Sequence, residues 1–314
     1  MAQPTNSFSS YDAVGNREDL SDVIWDISPL DTPILSMIAK EGADATYHEW
    51  QTDALAAVDG DNAVIEGADA ETDASSATTR VGNYTQISDK VARVTGTQRK
   101  INSAGRSDEM DYQVAKKQKE LKRDMETILC ANNARVAGSD TVARELAGIP
   151  AWIATNTSAG VGGSDPAGTG ADARTDGTQR ALTESQLKTV LAAAWEAGGD
   201  PDCIISGSFN KQKASEFTGN STRYDKAEDS ILHTTVDVYV SDFGRCSIIP
   251  SRFSRSRDLL VLQKDMWALA ELRPTESVEL ARTGDTSRRQ VICEYTLVSR
   301  NEAASGIIAD LTTS

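Results

Sequence analysis

Between residues 41 and 79 the chain contains not one lysine or arginine, while Asp53, Asp59, Asp61, Glu66, Asp69, Glu71 and Asp73 accumulate among alanine, glycine, serine and threonine. Such a stretch has too little apolar surface to offset the entropy of ordering it, so it cannot build a core of its own. β-Type residues flank it at 46–51 and 84–97, and the whole predicts a long two-stranded excursion with a flexible acidic tip. An isolated ribbon is marginal in water and needs a surface to lie on. The alternative is a disordered surface loop.

The remainder can fold: 314 residues, 39% of them hydrophobic, suffice for one large or two modest cores. With 47 acidic against 32 basic residues the net charge is −15, which removes the field that draws a protein to phosphate. Generic nucleic-acid binding is thereby disfavoured, whereas a wall facing packed polyphosphate is suited by that sign. The first residues lack a basic segment followed by an apolar one, and no run approaches the roughly 18 apolar residues of a membrane span. A soluble protein, cytoplasmic when made and without membrane contact, is expected. Cys130, Cys203, Cys246 and Cys293 form no CxxC pair and read as buried thiols; His48 and His233, the only histidines, read as packing or polar residues.

Residues 1–20 are polar. Leu20, Val23, Ile24, Ile27, Leu30, Ile34, Leu35 and Ile38 then form an apolar series broken by Pro29 and Pro33, read either as an arm that packs on something else or as a first helix of the main core. The strongest helical signal runs from 108 to about 134. Ser107 is its expected cap, Asp108 and Glu109 sit at the positive end of the dipole, and Met110, Val114, Leu121, Met125, Ile128 and Leu129 keep helical spacing. At ~1.5 Å per residue that is a rod of about 40 Å. Its middle carries Lys116, Lys117, Lys119, Lys122 and Arg123, either a solvated face or a docking stripe.

Residues 155–180 are rich in glycine, serine, threonine and aspartate and read as a linker between two halves. Beyond it Thr183 and Gln186 bracket a capping box, Leu187, Val190, Leu191, Ala194 and Trp195 follow at helical spacing, and Gly198, Gly199 and Pro201 end the helix. A strand at 203–206, a helix at 209–217 and an alternating strand through Val236, Val238 and Val240 suggest an α/β sheet, with strands at 246–249, 259–263, 267–272, 278–281 and 290–298 completing an α+β chain.

Searches for chemistry fail on spacing. The glycines at 160, 162, 163, 168 and 170 have no Lys-Ser or Lys-Thr at phosphate-loop spacing, Pro166 replaces the last glycine of a nucleophile elbow, and Ala63, Val64 and Ala70 stand where a calcium loop needs a ligand, its glycine and its bidentate glutamate. No catalytic residue, metal ligand or cofactor is assigned.

The strings NREDLSDVIWDISPLDTPILSMI (16–38), SDFGRCSIIPSRF (241–253) and EYTLVSRNEAASGII (294–308), in the order arm, acidic excursion, long helix, α/β domain and terminal strands, resemble the major capsid proteins of tailed bacteriophages with the Hong Kong 97-like fold. The resemblance implies an N-terminal arm (1–40), an extended β-hairpin loop (41–100), a peripheral domain (101–180) with a spine helix (108–134), an α/β axial domain (181–265), and strands returning to the peripheral domain (266–314). It implies a non-enzymatic subunit that assembles with itself into pentamers and hexamers of an icosahedral head, encloses double-stranded DNA without reading it, and works with a separate scaffolding protein and a portal. Room is left for a decoration protein. Some relatives cross-link their shells from a lysine in the extended loop, but here no lysine lies between Lys40 and Lys90, so a shell without covalent links is expected. The acidic tip is expected to meet a neighbour's basic patch, either Lys116, Lys117, Lys119, Lys122 and Arg123 or Arg252, Arg255 and Arg257. A cellular nanocompartment shell and, further off, a soluble hydrolase are the rival readings.

Overall fold

A computed structural model describes residues 31–67, 69, 75, 77–101, 108–217 and 238–314. In chain order the elements are α1 (Pro33–Met37), β1 (Ala39–Gly42), β2 (Tyr47–Thr52), β3 (Thr79–Tyr84), β4 (Gln86–Thr95), α2 (Gly96–Lys100), α3 (Glu109–Cys130), β5 (Asn156–Ser158), α4 (Glu184–Glu196), β6 (Cys203–Ser206), α5 (Ser208–Ser215), β7 (Val238–Ser241), β8 (Gly244–Pro250), β9 (Leu259–Leu262), β10 (Trp267–Leu280), β11 (Thr286–Ser299) and β12 (Gly306–Ile308). The expectations for residues 1–30, Glu71, Asp73, Ser107, His233 and Val236 lie outside the described residues.

α3 forms because its apolar residues recur on one stripe, and Met110, Val114, Leu121, Met125 and Leu129 are all buried. Asp108 caps it, its carboxylate accepting the Met110 amide at 2.7 Å. The helix ends at Cys130, earlier than its spacing suggests, because the next residues are drawn away: the Asn132 side chain pairs with the Arg174 backbone in both directions, at 2.7 and 2.9 Å, and the Arg135 amide donates to the Gly170 carbonyl. At ~1.5 Å per residue the rod is about 33 Å long.

α3 packs on one face of a four-stranded sheet ordered β1-β10-β11-β4. The same cluster holds Trp152, Trp267, Tyr295 and Ile34, and each Leu-sized side chain buried there contributes about 1.5–3 kcal/mol. Residues 84–97 were expected to close the excursion, yet β4 pairs with β11, Val91 opposite Gln290. The strand returning beside β2 is β3, Tyr47 opposite Tyr84. Ala92 and Val94 explain the exchange, since their apolar side chains face the core under α3. The separate strands expected at 267–272 and 278–281 are one, β10, whose ladder skips between Arg273 and Glu276, where Pro274 has no amide to donate.

The second sheet is ordered β5-β12-β9-β6-β8-β7, covered by α4 and α5. α4 begins with the full capping box of Thr183 and Gln186. It lies so close to β12 that a Cβ on Gly306 would come within 2.4 Å of Val190. The returning strands divide: β10 and β11 enter the first sheet, β12 the second. The expected linker at 155–180 is folded, because β5 joins the second sheet and the buried Arg174 side chain holds Asp165 and the Ile153 carbonyl.

Candidate intersubunit surfaces

The β2–β3 ribbon is anchored at its base by local chemistry. The Trp50 ring lies 5.4 Å from Trp152, the Arg135 guanidinium stands over Tyr47, and Asn83, fully buried, donates to the Leu297 carbonyl at 2.9 Å and accepts the Ala147 amide at 3.0 Å. Past Thr52 these anchors stop. The described residues from 53 to 78 are all exposed, and Asp53 and Asp59 bond only to backbone amides one or two residues on. Asp53, Asp59, Asp61, Glu66 and Asp69 form no ion pair within the described chain, so their charges face water.

The two basic surfaces differ. On α3, Lys116, Lys119 and Lys122 are exposed and unpaired among the described residues, while Lys117 bonds to Glu120 at 2.7 Å and Arg123 lies over the Phe253 ring at 5.5 Å. The Lys117 hydrogen bond, helped by the charges of Lys117 and Lys116, holds the Glu120 carboxyl below its ordinary range. In the second surface only Arg252 is exposed. Arg255 bridges Asp176 at 2.7 Å and Asp258 at 2.9 Å, and Arg257 bridges Asp176 at 3.0 Å and Asp310 at 2.6 Å. The geometry commits those two arginines to partners within this chain.

Two carboxylates that hold the molecule together were missed by pattern reading. Glu126, buried on α3, accepts the Ile34 and Leu35 amides at 2.9 and 3.0 Å and so ties α1 to the long helix. Burial pushes its pKa up against those bonds. The available signal was an acid inside the apolar stripe of Leu121, Met125 and Leu129. Asp310, at φ 61°, accepts the Gly160 and Gly177 amides and the Arg257 guanidinium. Burial opposes its charge, but these donors outweigh burial and hold the carboxyl below the usual range. Its signal was an acid in the apolar run Ile307, Ile308, Ala309, Leu311. Beside it, burial drives Asp258 up to about 6 despite Arg255 and Arg174. All four cysteines are buried free thiols.

The model of the SU10 major capsid protein family matches residues 3–312. The chain belongs to that family. A major capsid protein of Escherichia phage Phieco32 is 31% identical over 348 residues, covering 98% of this chain and 97% of the relative. Among solved structures, the Cyanophage A-1(L) capsid subunit aligns with TM-score 0.65 at 12% identity, covering 98% of this chain and 99% of that one. A native GTA particle capsid aligns with TM-score 0.64 at 10% identity over 96% and 98% of the two chains. At such identities the structures speak for the fold, a mixed helix-and-strand fold of phage capsids. As a major capsid protein, this chain is a structural component of the virion of a tailed phage.

Proposed function

We propose that this SU10-family subunit builds the icosahedral head by laying its acidic tip on a neighbouring copy, in the Hong Kong 97-like arrangement. The observation that carries the reading is the contrast within the excursion, whose base is locked by Trp50, Asn83 and Tyr47 while every described residue from 53 to 78 is exposed. A segment that cannot form a core and finds none in its own molecule is stabilised by another. In this reading the arm is 1–40 and the excursion, first drawn at 41–100, is narrower, because β1 and β4 at its ends are built into the four-stranded sheet. α3 is the spine, and the β6-centred sheet carries the axial contacts that gather copies into pentamers and hexamers.

Of the two basic surfaces the α3 stripe is the receiver, since Lys116, Lys119 and Lys122 form no ion pair among the described residues whereas Arg255 and Arg257 are engaged. The subunit performs no catalysis and takes no cofactor. It assembles in the host cytoplasm with a separate scaffolding protein and a portal, and its net charge of −15 suits a wall that encloses double-stranded DNA without adhering to it. Electron microscopy of the purified, co-expressed protein tests this: hollow icosahedra are expected, and a discrete small oligomer with the tip folded on its own body would overturn it.

A further inference from the structure

The glycine-rich stretch 160–177 grips both halves of the fold. Toward the second sheet, the Gly160 and Gly177 amides donate to Asp310 at 3.0 and 2.8 Å, and Asp176 receives Arg255 and Arg257. Toward the first, the Arg174 backbone pairs with the Asn132 side chain just beyond α3. There the Arg135 amide donates to the Gly170 carbonyl at 2.8 Å and the Arg135 guanidinium to the Thr169 carbonyl at 3.0 Å. Gly170, at φ 70°, lies so close to Trp152 that a Cβ would come within 2.8 Å of the ring. Arg135 and Trp152 are also what hold the ribbon. The same guanidinium donates to the Gly82 carbonyl and stands over Tyr47, and Trp152 lies against Trp50. One strap therefore meets the second sheet at one end and, at the other, two residues on which the ribbon base rests.

The end at the second sheet is a charged clasp. Asp258, in the loop between β8 and β9, is 2% exposed; its Oδ2 accepts from Arg255 at 2.9 Å, and its Oδ1 has no hydrogen-bond partner among the described residues. The charges facing it come from three segments: Arg255 from its own loop, Arg174 and Asp176 from the strap, and Asp310 from beyond β12. Arg257 joins Asp176 to Asp310, and Arg174 pairs with Asp165. Fully ionised, the clasp sets the four carboxylates of Asp165, Asp176, Asp258 and Asp310 against three guanidiniums. With Asp258 protonated the two kinds are equal in number. An excess charge is costly where water cannot reach it, and here the excess falls on a buried carboxylate with an unmatched oxygen.

We propose that residues 160–177 form a pH-set strap: seated while Asp258 carries a proton, it braces the ribbon base through Arg135 and Trp152, and ionisation of Asp258 loosens strap and ribbon base together. The device belongs to the single subunit and does not depend on where the tip lies. Its sign follows from the burial that lifts Asp258 from 3.8 to about 6. A loosened strap gives that shift up, so opening becomes more favourable as pH rises between those values and levels off above them.

Hydrogen exchange of the full-length subunit, read against Asp258→Asn at the same pH, tests the strap. From about pH 4.5 to about 6.5 the protection of the Gly160, Gly177 and Arg135 amides should fall about tenfold in the wild type. Thr85, whose amide donates to Thr46 at the ribbon base, should fall with them, and all four should exchange ahead of Leu121 in α3, the mark of local opening. Asp258→Asn, balanced at every pH, should show no such fall. Equal falls in both proteins, no fall in the wild type, or protection equal to that of Leu121 would overturn the clasp; a fall at Gly160 and Gly177 with Thr85 unmoved would overturn the coupling. A second variant, Arg135→Lys, cannot reach Gly82 and Thr169 at once. In it the fall at Gly177 should persist while that at Thr85 shrinks roughly threefold or more, and equal falls at the two would overturn the route through Arg135.

Discussion

Glu126 lies among Leu121, Met125 and Leu129, where burial alone would keep a carboxyl neutral, yet it accepts two amides from α1. Replacing it with alanine strands the buried Ile34 N–H, at a cost of about 1–3 kcal/mol, and the partly buried Leu35 N–H, at a smaller one. Glu126→Ala is therefore expected to lower stability by about 2 kcal/mol or more in urea unfolding, with exchange protection lost first at Ile34 and Leu35. The pH response of the interior follows from Asp258 and Asp310. Asp258 is raised from 3.8 to about 6, so the folded state holds the proton more tightly, and stability falls as pH rises between those values. Asp310 is depressed, so its contribution is present above its ordinary value and is lost as pH falls through the folded one. Asp258→Asn should flatten the decline between pH 4 and about 6, whereas Asp310→Asn should destabilise at pH 7; thermal unfolding across pH reads both.

At the scale of elements, α3 acts twice, as the lid of a sheet and as the carrier of Lys116, Lys119 and Lys122. An exposed ion pair contributes about 0–1 kcal/mol, too little to hold two molecules together, but a closed shell repeats each contact in every subunit. Reversing the three lysines to glutamate should leave the helix content and Tm nearly unchanged, since all three side chains are exposed. Particle formation should fall sharply, and Asp53, Asp59 and Asp61 changed to lysine should restore part of it. Sedimentation of assembly mixtures separates these outcomes.

For the whole molecule the charge pairing of the tip predicts a salt response. Such pairing is screened within about 8 Å at physiological ionic strength and within about 3 Å at molar salt. Light scattering should show assembly slowing as salt rises; indifference to salt would count against the pairing. Covalent multimers are not expected in denaturing gels of mature particles, because the tip has no lysine and Lys90, at the nearer end, is held by Asp124 at 2.6 Å.

By itself the sequence determined whatever depends on neighbours a few residues away. The absence of basic residues and the run of acids among alanine and glycine around 53–67 pointed to an exposed tip, the stripe from Met110 to Leu129 fixed α3, and Thr183 with Gln186 fixed the start of α4. The three strings at 16–38, 241–253 and 294–308 pointed to the capsid family that residues 3–312 match. Only the tertiary structure decided which strand lies beside which. β4 could have closed the ribbon, but burying Ala92 and Val94 under α3 required β11, some 200 residues on. Likewise only Asp258, three residues beyond Arg255, was a local partner; Asp176 and Asp310, which engage Arg255 and Arg257, are distant in sequence and meet them only in the fold. The glycine-rich stretch at 155–180 had the composition of a linker, and it is the buried Arg174 and Asp310 that turn it into structure. A residue's propensity is a property of its own stretch of chain; its electrostatic partner and its cover are properties of the packing.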